Sequence, residues 1–535
     1  MIYKIIVFSF SFLLFFSISI LAQDGYEENK NIDIQHYKFS LELNDTTDII
    51  RNTAEISIKF NADIQEFHLD LINPRQNKGM KVESVLYNQR LLSFTHTNNK
   101  LRITLPSGNE KGKIMTFIVS YSGIPADGLI IDKNKYGDRT FFGDNWPDRA
   151  RNWLPTIDHP SDKATVEYFV TAPSHYKIIA NGVFVEEKKL NDKVKTTNWK
   201  ESVAIPTKVM VIGVAQFSSK ITGEFNGINI ESWVYPQNEE AGHLDYSLAI
   251  KPLTFFSNYI GPYPYEKLAN VQSKTRYGGM ENASAIFYYE NSVTGKQGED
   301  IESLIAHEVA HQWFGNSATE KNWHHIWLSE GFATYFTHLY MEHTYGIEVL
   351  HKRMENTRND VINYAKKAMT PIIDTEVEDY NDLLNPNSYQ KGGWVLHMLR
   401  RKLGDETFHQ GIEKYYQTYK NNNATTEDLR MIMEQVSKED LNAFFNQWLY
   451  QSGHPQLSFS WKNENSGKST LTVEQHQKNE FHFPLEIKLI GPEGQSKTIE
   501  IQMNNKKEVV TLPLSFRIEN IKADPNVNLL FEIQY

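Results

Sequence analysis

Residues 305–336 read IAHEVAHQWFGNSATEKNWHHIWLSEGFATYF. They contain His307-Glu308-Val309-Ala310-His311, an H-E-x-x-H pattern, and after eighteen intervening residues Glu330. On an α-helix of 3.6 residues per turn, His307 and His311 lie about one turn apart on the same face. Both imidazoles can then meet one metal ion, and neutral imidazole suits Zn²⁺. Glu308 lies about 100° round the helix, so it can border a metal without binding it. Glu330 supplies a third, oxygen ligand. Two His and one Glu leave a fourth position open, which is the pattern of a catalytic zinc; structural sites are closed. Any fold of this chain must therefore present two helices to one ion. Leu304, Ile305, Val309, Trp313 and Phe314 give the first helix its apolar contacts, Gly315 is a C-terminal stop, and the second helix begins near Ser329.

The 535 residues are too many for one ordinary domain, and 40% hydrophobic with 13% aromatic content supplies sizeable cores. Residues 1–22 read as a secretory signal. Lys4 gives a positive start, the run from Ile5 to Leu21 is uncharged and apolar, and Ala22 offers a small residue for cleavage. That run, interrupted by serines, sits at the short edge of a membrane span. Cleavage near Ala22 implies export to the periplasm or the extracellular space without stable membrane insertion. It would also take the formal charge from −11 to −12. A net acidic chain with no basic block argues against nucleic acid as a partner. With no cysteine, an exported chain holds its fold by core burial alone.

From Ile32 to about Gly223 the apolar residues alternate, as in Tyr37, Phe39, Leu41 and Leu43, or Ile56, Ile58 and Phe60. Turn residues such as Ser107-Gly108-Asn109 and Asn181-Gly182 separate the runs, which predicts a large antiparallel β domain. Helical pattern then covers 239–259. A short strand at 271–274 precedes Tyr277-Gly278-Gly279-Met280-Glu281-Asn282, and further helices are expected at 388–403, 426–437 and 441–449. Thr425 with Asp428 could form a capping box. From Leu457 onward period two returns, in Leu471 and Val473 and again in Phe483, Leu485, Ile487 and Leu489, suggesting a small β-sandwich.

The Gly278-Gly279-Met280-Glu281-Asn282 loop, the H-E-x-x-H and Trp327-Leu328-Ser329-Glu330-Gly331-Phe332-Ala333 together resemble the gluzincin zinc aminopeptidases, relatives of aminopeptidase N and of the leukotriene hydrolase. The likeness extends in order from about Ile32 to about His454 and includes Ala150-Arg151-Asn152-Trp153-Leu154-Pro155. It implies a multidomain α+β chain: an N-terminal antiparallel β domain (23–223), a thermolysin-like, mainly helical catalytic domain (224–452) and a small C-terminal β-sandwich (453–535). The large C-terminal helical domain of longer relatives is not expected. The resemblance further implies one Zn²⁺ per chain on His307, His311 and Glu330, and peptide substrates with a free N-terminus. Glu308 is then the general base, and Tyr389, in Asn387-Ser388-Tyr389-Gln390-Lys391, donates to the developing oxyanion. Glu281 pairs with the substrate α-ammonium, while Gly278, Gly279, Met280 and Asn282 complete the substrate-binding loop.

One position departs from the family pattern. Where relatives carry a second amine-binding Glu or Gln, this chain has Trp146. Either Asp144 or Asp148 substitutes, or Glu281 works alone, or an aromatic wall reshapes the pocket. His324 and His325 read as core or supporting histidines, because a catalytic zinc takes three protein ligands. The competing activities on this scaffold are a zinc epoxide hydrolase, an endopeptidase and a non-enzymatic binding protein. The last is disfavoured because every expected ligand and Glu308 are present.

Overall fold

The computed structural model describes residues 25–534 other than 27, 107–110 and 465–466. The expected signal segment and the Ser107-Gly108-Asn109 turn lie outside the described residues. The alternating runs become an eight-stranded sheet. Its order is Val183–Lys189, Val194–Pro206, Lys163–Pro173, Ile32–Glu42, Ile50–Phe60, Ile114–Ile124, Gly79–Tyr87 and Arg90–Leu91. Neighbours are antiparallel except Ile32–Glu42 with Lys163–Pro173, which run parallel, with Tyr37 opposite Val166. Tyr37, Phe39 and Leu41 are buried on one face, as their period-two spacing requires. A four-stranded and a three-stranded sheet complete this β-rich part.

A mixed five-stranded sheet follows, in the order Ser218–Phe225, Ile228–Val234, Lys267–Ser273, Ala285–Tyr289 and Gly279–Met280. It begins at Ser218, slightly before the composition changes. Its longer helices are α1 (Glu239–Tyr246), α2 (Ile250–Tyr259), α3 (Glu299–Ala310), α4 (Trp327–Tyr345), α5 (Ile347–Ala365), α6 (Gly392–Leu403), α7 (Asp405–Tyr419) and α8 (Thr426–Ser437), and the expected 441–449 helix is a short turn, Asn442–Phe445, running into a π turn, Asn446–Tyr450. The expected 239–259 helix is split by a tight turn at Ser247–Ala249. The expected 388–403 helix opens as a wide π turn, Asn387–Lys391, before α6. Thr425 and Asp428 form both bonds of a capping box on α8. After Gly453 come a four-stranded and a three-stranded sheet, the composition expected of a small sandwich. Their apolar residues, among them Leu471, Val473, Leu485 and Ile487, join one core cluster with α3, α4 and α6.

A second cluster runs without interruption from the β-rich part into the five-stranded sheet, taking in Phe142, Ile179, Met280, Phe287 and Trp323. The Gly279–Met280 edge strand is therefore braced by both parts of the chain. Among the described residues, no helix is long and apolar enough to cross a membrane.

Candidate metal centre and active site

Helix α3 carries His307 and Glu308 in its last turn and ends at Ala310, five residues before Gly315, with His311 as its cap. Trp313 and Phe314 pass into the core, and Gly315 turns the chain with φ of +111°. A Cβ at Gly315 would sit 2.2 Å from Ser329 Oγ, so only glycine lets α4 pack this close to the end of α3. That packing brings Glu330, in the first turn of α4, to the two imidazoles.

The three expected ligands form a tight triangle. His307 Nε2 and His311 Nε2 are 3.2 Å apart, and Glu330 Oε2 lies 3.6 Å from the first and 3.3 Å from the second. A tetrahedral ion with ligands at about 2.0–2.1 Å has ligand–ligand edges of about 3.3–3.4 Å. The triangle matches one face of that tetrahedron. His311 Nδ1 donates to the Phe314 carbonyl at 3.1 Å, so Nε2 is the nitrogen turned toward the triangle, and its lone pair is available to a cation that displaces the proton there. The electrostatics agree with a cation site. Burial opposes charge on His311, yet the carboxylates of Glu330 and Glu281 push its imidazole up to about 10. Burial likewise opposes charge on Glu330, yet His311 and His307 hold its carboxyl well below the usual range. The residues present fit a zinc ion.

Glu308 is 4% exposed and lies against the edge strand: a Cβ on Gly279 would come within 2.2 Å of Glu308 Oε1. The close approach expected of the two glycines is thus a property of Gly279; at Gly278 the nearest atom to such a Cβ is 3.9 Å away. Burial pushes the Glu308 carboxyl well up, and the Glu281 and Glu330 charges add to the rise against His311. Glu281 is 5% exposed, and its Oε1 is buried with no hydrogen-bond partner. Tyr389, on the π turn, stacks on the His307 ring with centroids 6.2 Å apart. Its phenol is pushed well up, by burial first and then by the nearby carboxylates of Glu330, Glu281 and Glu308. Apart from Gly278, these residues line one cavity, together with Met280, Trp146, Tyr277 and Leu384. Asn282 is fully buried beside it, both of its amide atoms unpartnered.

The Trp146 alternatives separate clearly. Asp144 is held by Arg149 at 2.7 Å and by the Arg276 backbone N–H at 3.1 Å. Asp148 pairs with Arg151 at 3.2 Å. Trp146 itself stands in the cavity wall, edge-on to Tyr277 and Trp323. His324 and His325 are buried outside the ligand triangle, and His325 Nδ1 meets Thr426 Oγ1 at 2.9 Å. Sequence reasoning missed Leu384 and Tyr277 as lining residues. It also missed Gln312 and Asn316, which directly follow the metal motif and whose side chains reach the Glu281 backbone. Their position beside the motif was the available signal.

Comparison with known proteins follows the same order along the chain. The family model of the Peptidase M1 N-terminal domain matches residues 34–209, and that of the Peptidase family M1 domain matches residues 245–448. The chain is similar to Aminopeptidase M1-C of Oryza sativa subsp. japonica, 29% identical over 342 residues, 61% of this chain and 38% of that protein. It is similar to Leucyl aminopeptidase of Saccharolobus solfataricus, 25% identical over 450 residues, 80% of this chain and 55% of that protein. The chain thus spans about half or less of the length of these relatives. Among solved structures, Legionella pneumophila aminopeptidase A in complex with aspartic acid shares the fold. Its TM-score is 0.81 at 16% identity, over 95% of this chain and 60% of that one.

Proposed function

Because this chain belongs to peptidase family M1, we propose that it is an exported zinc aminopeptidase that removes the N-terminal residue from peptides. The observation that carries the reading is Glu281. Its unpartnered, buried carboxylate oxygen shares one small cavity with the ligand triangle and Glu308. A buried carboxylate without a donor is costly, and a substrate ammonium is the partner that would satisfy it. Trp146 closes the neighbouring wall, so amine recognition falls to Glu281 alone.

His307, His311 and Glu330 would hold the zinc, which when bound supplies Lewis acidity toward water and the scissile carbonyl. Glu308 takes the proton of the attacking water and later delivers it to the leaving amine. Its burial makes it a stronger proton acceptor than an exposed carboxylate. Tyr389 stays protonated, because its environment disfavours the phenolate, and it donates to the oxyanion as that charge develops. Glu281 fixes the cut one residue from the free amine. Export rests on the Lys4 and apolar 5–21 pattern, and a chain without cysteine suits either an oxidising or a reducing compartment.

The test is metal dependence coupled to Glu308. Purified protein should contain about one zinc, lose hydrolysis of aminoacyl-aminocoumarins to a chelator and regain it with Zn²⁺. Glu308→Gln should keep the zinc while losing at least about 10²-fold in kcat. Full activity in metal-free protein, or a Glu308→Gln variant retaining more than about a tenth of wild-type kcat, would overturn the reading.

A further inference from the structure

The carboxylate of Glu281 is aimed by something other than its own bonds, since its Oε1 has no partner. Its backbone carbonyl, in contrast, is gripped twice. Gln312 Nε2 donates to it at 2.9 Å and Asn316 Nδ2 at 2.6 Å. Both side chains are fully buried, and both come from the turn that leaves the metal helix. Gln312 also reaches past Glu281, its Oε1 accepting from the Ser284 backbone N–H at 2.9 Å. Asn316 makes no second side-chain bond, because its Oδ1 is buried and unpartnered. Its amide therefore serves the Glu281 carbonyl alone.

The other side of the loop is held by the β-rich part of the chain. Asn181 Nδ2 donates to the Ala283 carbonyl at 2.6 Å, and the Gly182 N–H donates to Ser284 Oγ at 2.7 Å. Ser284 sits at φ of +59°, a left-handed conformation that a serine adopts only when its surroundings impose it. The segment 281–284 is thus stretched between two frames, and the metal-helix frame grips the residue whose side chain faces the cavity.

We propose that Gln312 and Asn316 are positioning residues that set the distance between the amine-binding carboxylate of Glu281 and the metal centre. They act through the Glu281 main chain and touch no substrate. A carbonyl has two lone pairs, and two amide donors fixed to the turn after His311 use both. The Glu281 backbone therefore cannot shift without the metal helix shifting with it. This register matters to an exopeptidase more than to other hydrolases, because the span from amine to scissile carbonyl is one residue. An error of about 1 Å can cost about 10²-fold in rate. The proposal rests on the aminopeptidase reading, in which Glu281 binds the amine.

A double-mutant cycle tests it. Asn316→Ala should lower kcat/KM for a free-amine aminoacyl substrate by about 10–100-fold with zinc content unchanged. In a Glu281→Ala background the same change should alter kcat/KM by no more than about twofold, because the group being aimed is gone. Asn316→Leu, which keeps the branched outline of four side-chain heavy atoms and removes the donor, carries the same expectation and serves if the alanine variant does not fold. Equal losses in both backgrounds would overturn the proposal by making Asn316 an ordinary packing residue. A Glu281→Ala variant as active on free-amine substrates as the wild type would instead remove the aminopeptidase reading, and the proposal with it.

Discussion

Tyr389 has two physical identities in this site, an aromatic ring stacked on His307 and a phenol held protonated by burial. The stack would survive loss of the hydroxyl, so Tyr389→Phe separates the two. If the hydroxyl meets only the developing oxyanion, the variant should lower kcat by about 10²–10³-fold and leave KM nearly unchanged. A change confined to KM in steady-state assays would assign the phenol to ground-state binding. His307, Glu308 and His311 were legible because helix periodicity puts them together, and Glu330, on a second helix, because a catalytic ion needs a third ligand. The aim of Glu281 was not, because it depends on two amides that touch a backbone carbonyl 31 and 35 residues away. Sequence spacing encodes side-chain faces far better than it encodes contacts to the main chain.

Among the elements, strands with a clean period-two pattern and helices with strong caps were readable, as in the buried Tyr37, Phe39 and Leu41 and the Thr425–Asp428 box. What could not be read was which strand lies beside which. Ile32–Glu42 pairs in parallel with Lys163–Pro173, a partner more than a hundred residues away that no local turn specifies. The π turn before α6 was equally silent, since Asn387-Ser388-Tyr389-Gln390-Lys391 carries no Gly or Pro to mark a break, and the turn adjoins the close approach of Gly331 to Gly392. Helix α6 also makes a pH-sensitive tie. His397 is fully buried, bonded to Tyr335 at 3.1 Å and to the Val527 carbonyl at 2.9 Å, and burial lowers its imidazole to about 3. Its folded value lies below the unfolded 6.5, so the unfolded chain takes up the proton first as pH falls. The stability His397 contributes is complete above pH about 6.5 and is lost toward pH about 3, at about 1.4 kcal/mol per pH unit. Thermal or urea unfolding of wild type and His397→Gln across this window should show a slope smaller by about one proton in the variant. Identical slopes would mean that this histidine is not kept neutral.

At the scale of the whole molecule, the candidate site sits on a seam. The β-rich part does more than precede the helices of the candidate site. Lys208 forms a buried ion pair with Glu320, and Lys163 donates to the Asn316 and Ser317 carbonyls at 3.2 and 2.7 Å. One apolar cluster crosses the seam from Phe142 and Ile179 to Phe287 and Trp323. The cavity wall is built from both sides as well, with Trp146 from one part and Glu281, Glu308 and Tyr389 from the other. Trp146 stands in the cavity wall, and the two nearby aspartates are committed to arginines. The central claim, an exopeptidase anchored by Glu281 alone, therefore meets its hardest test in substrates that differ only at the amine. Matched free and N-acetylated peptides should be compared by rate and by identification of products. The free peptide should lose its first residue, and acetylation should lower kcat/KM by about 10–150-fold, the worth of a charge-assisted hydrogen bond. Internal cleavage of the acetylated peptide at a comparable rate would make the enzyme an endopeptidase and contradict the role given to Glu281.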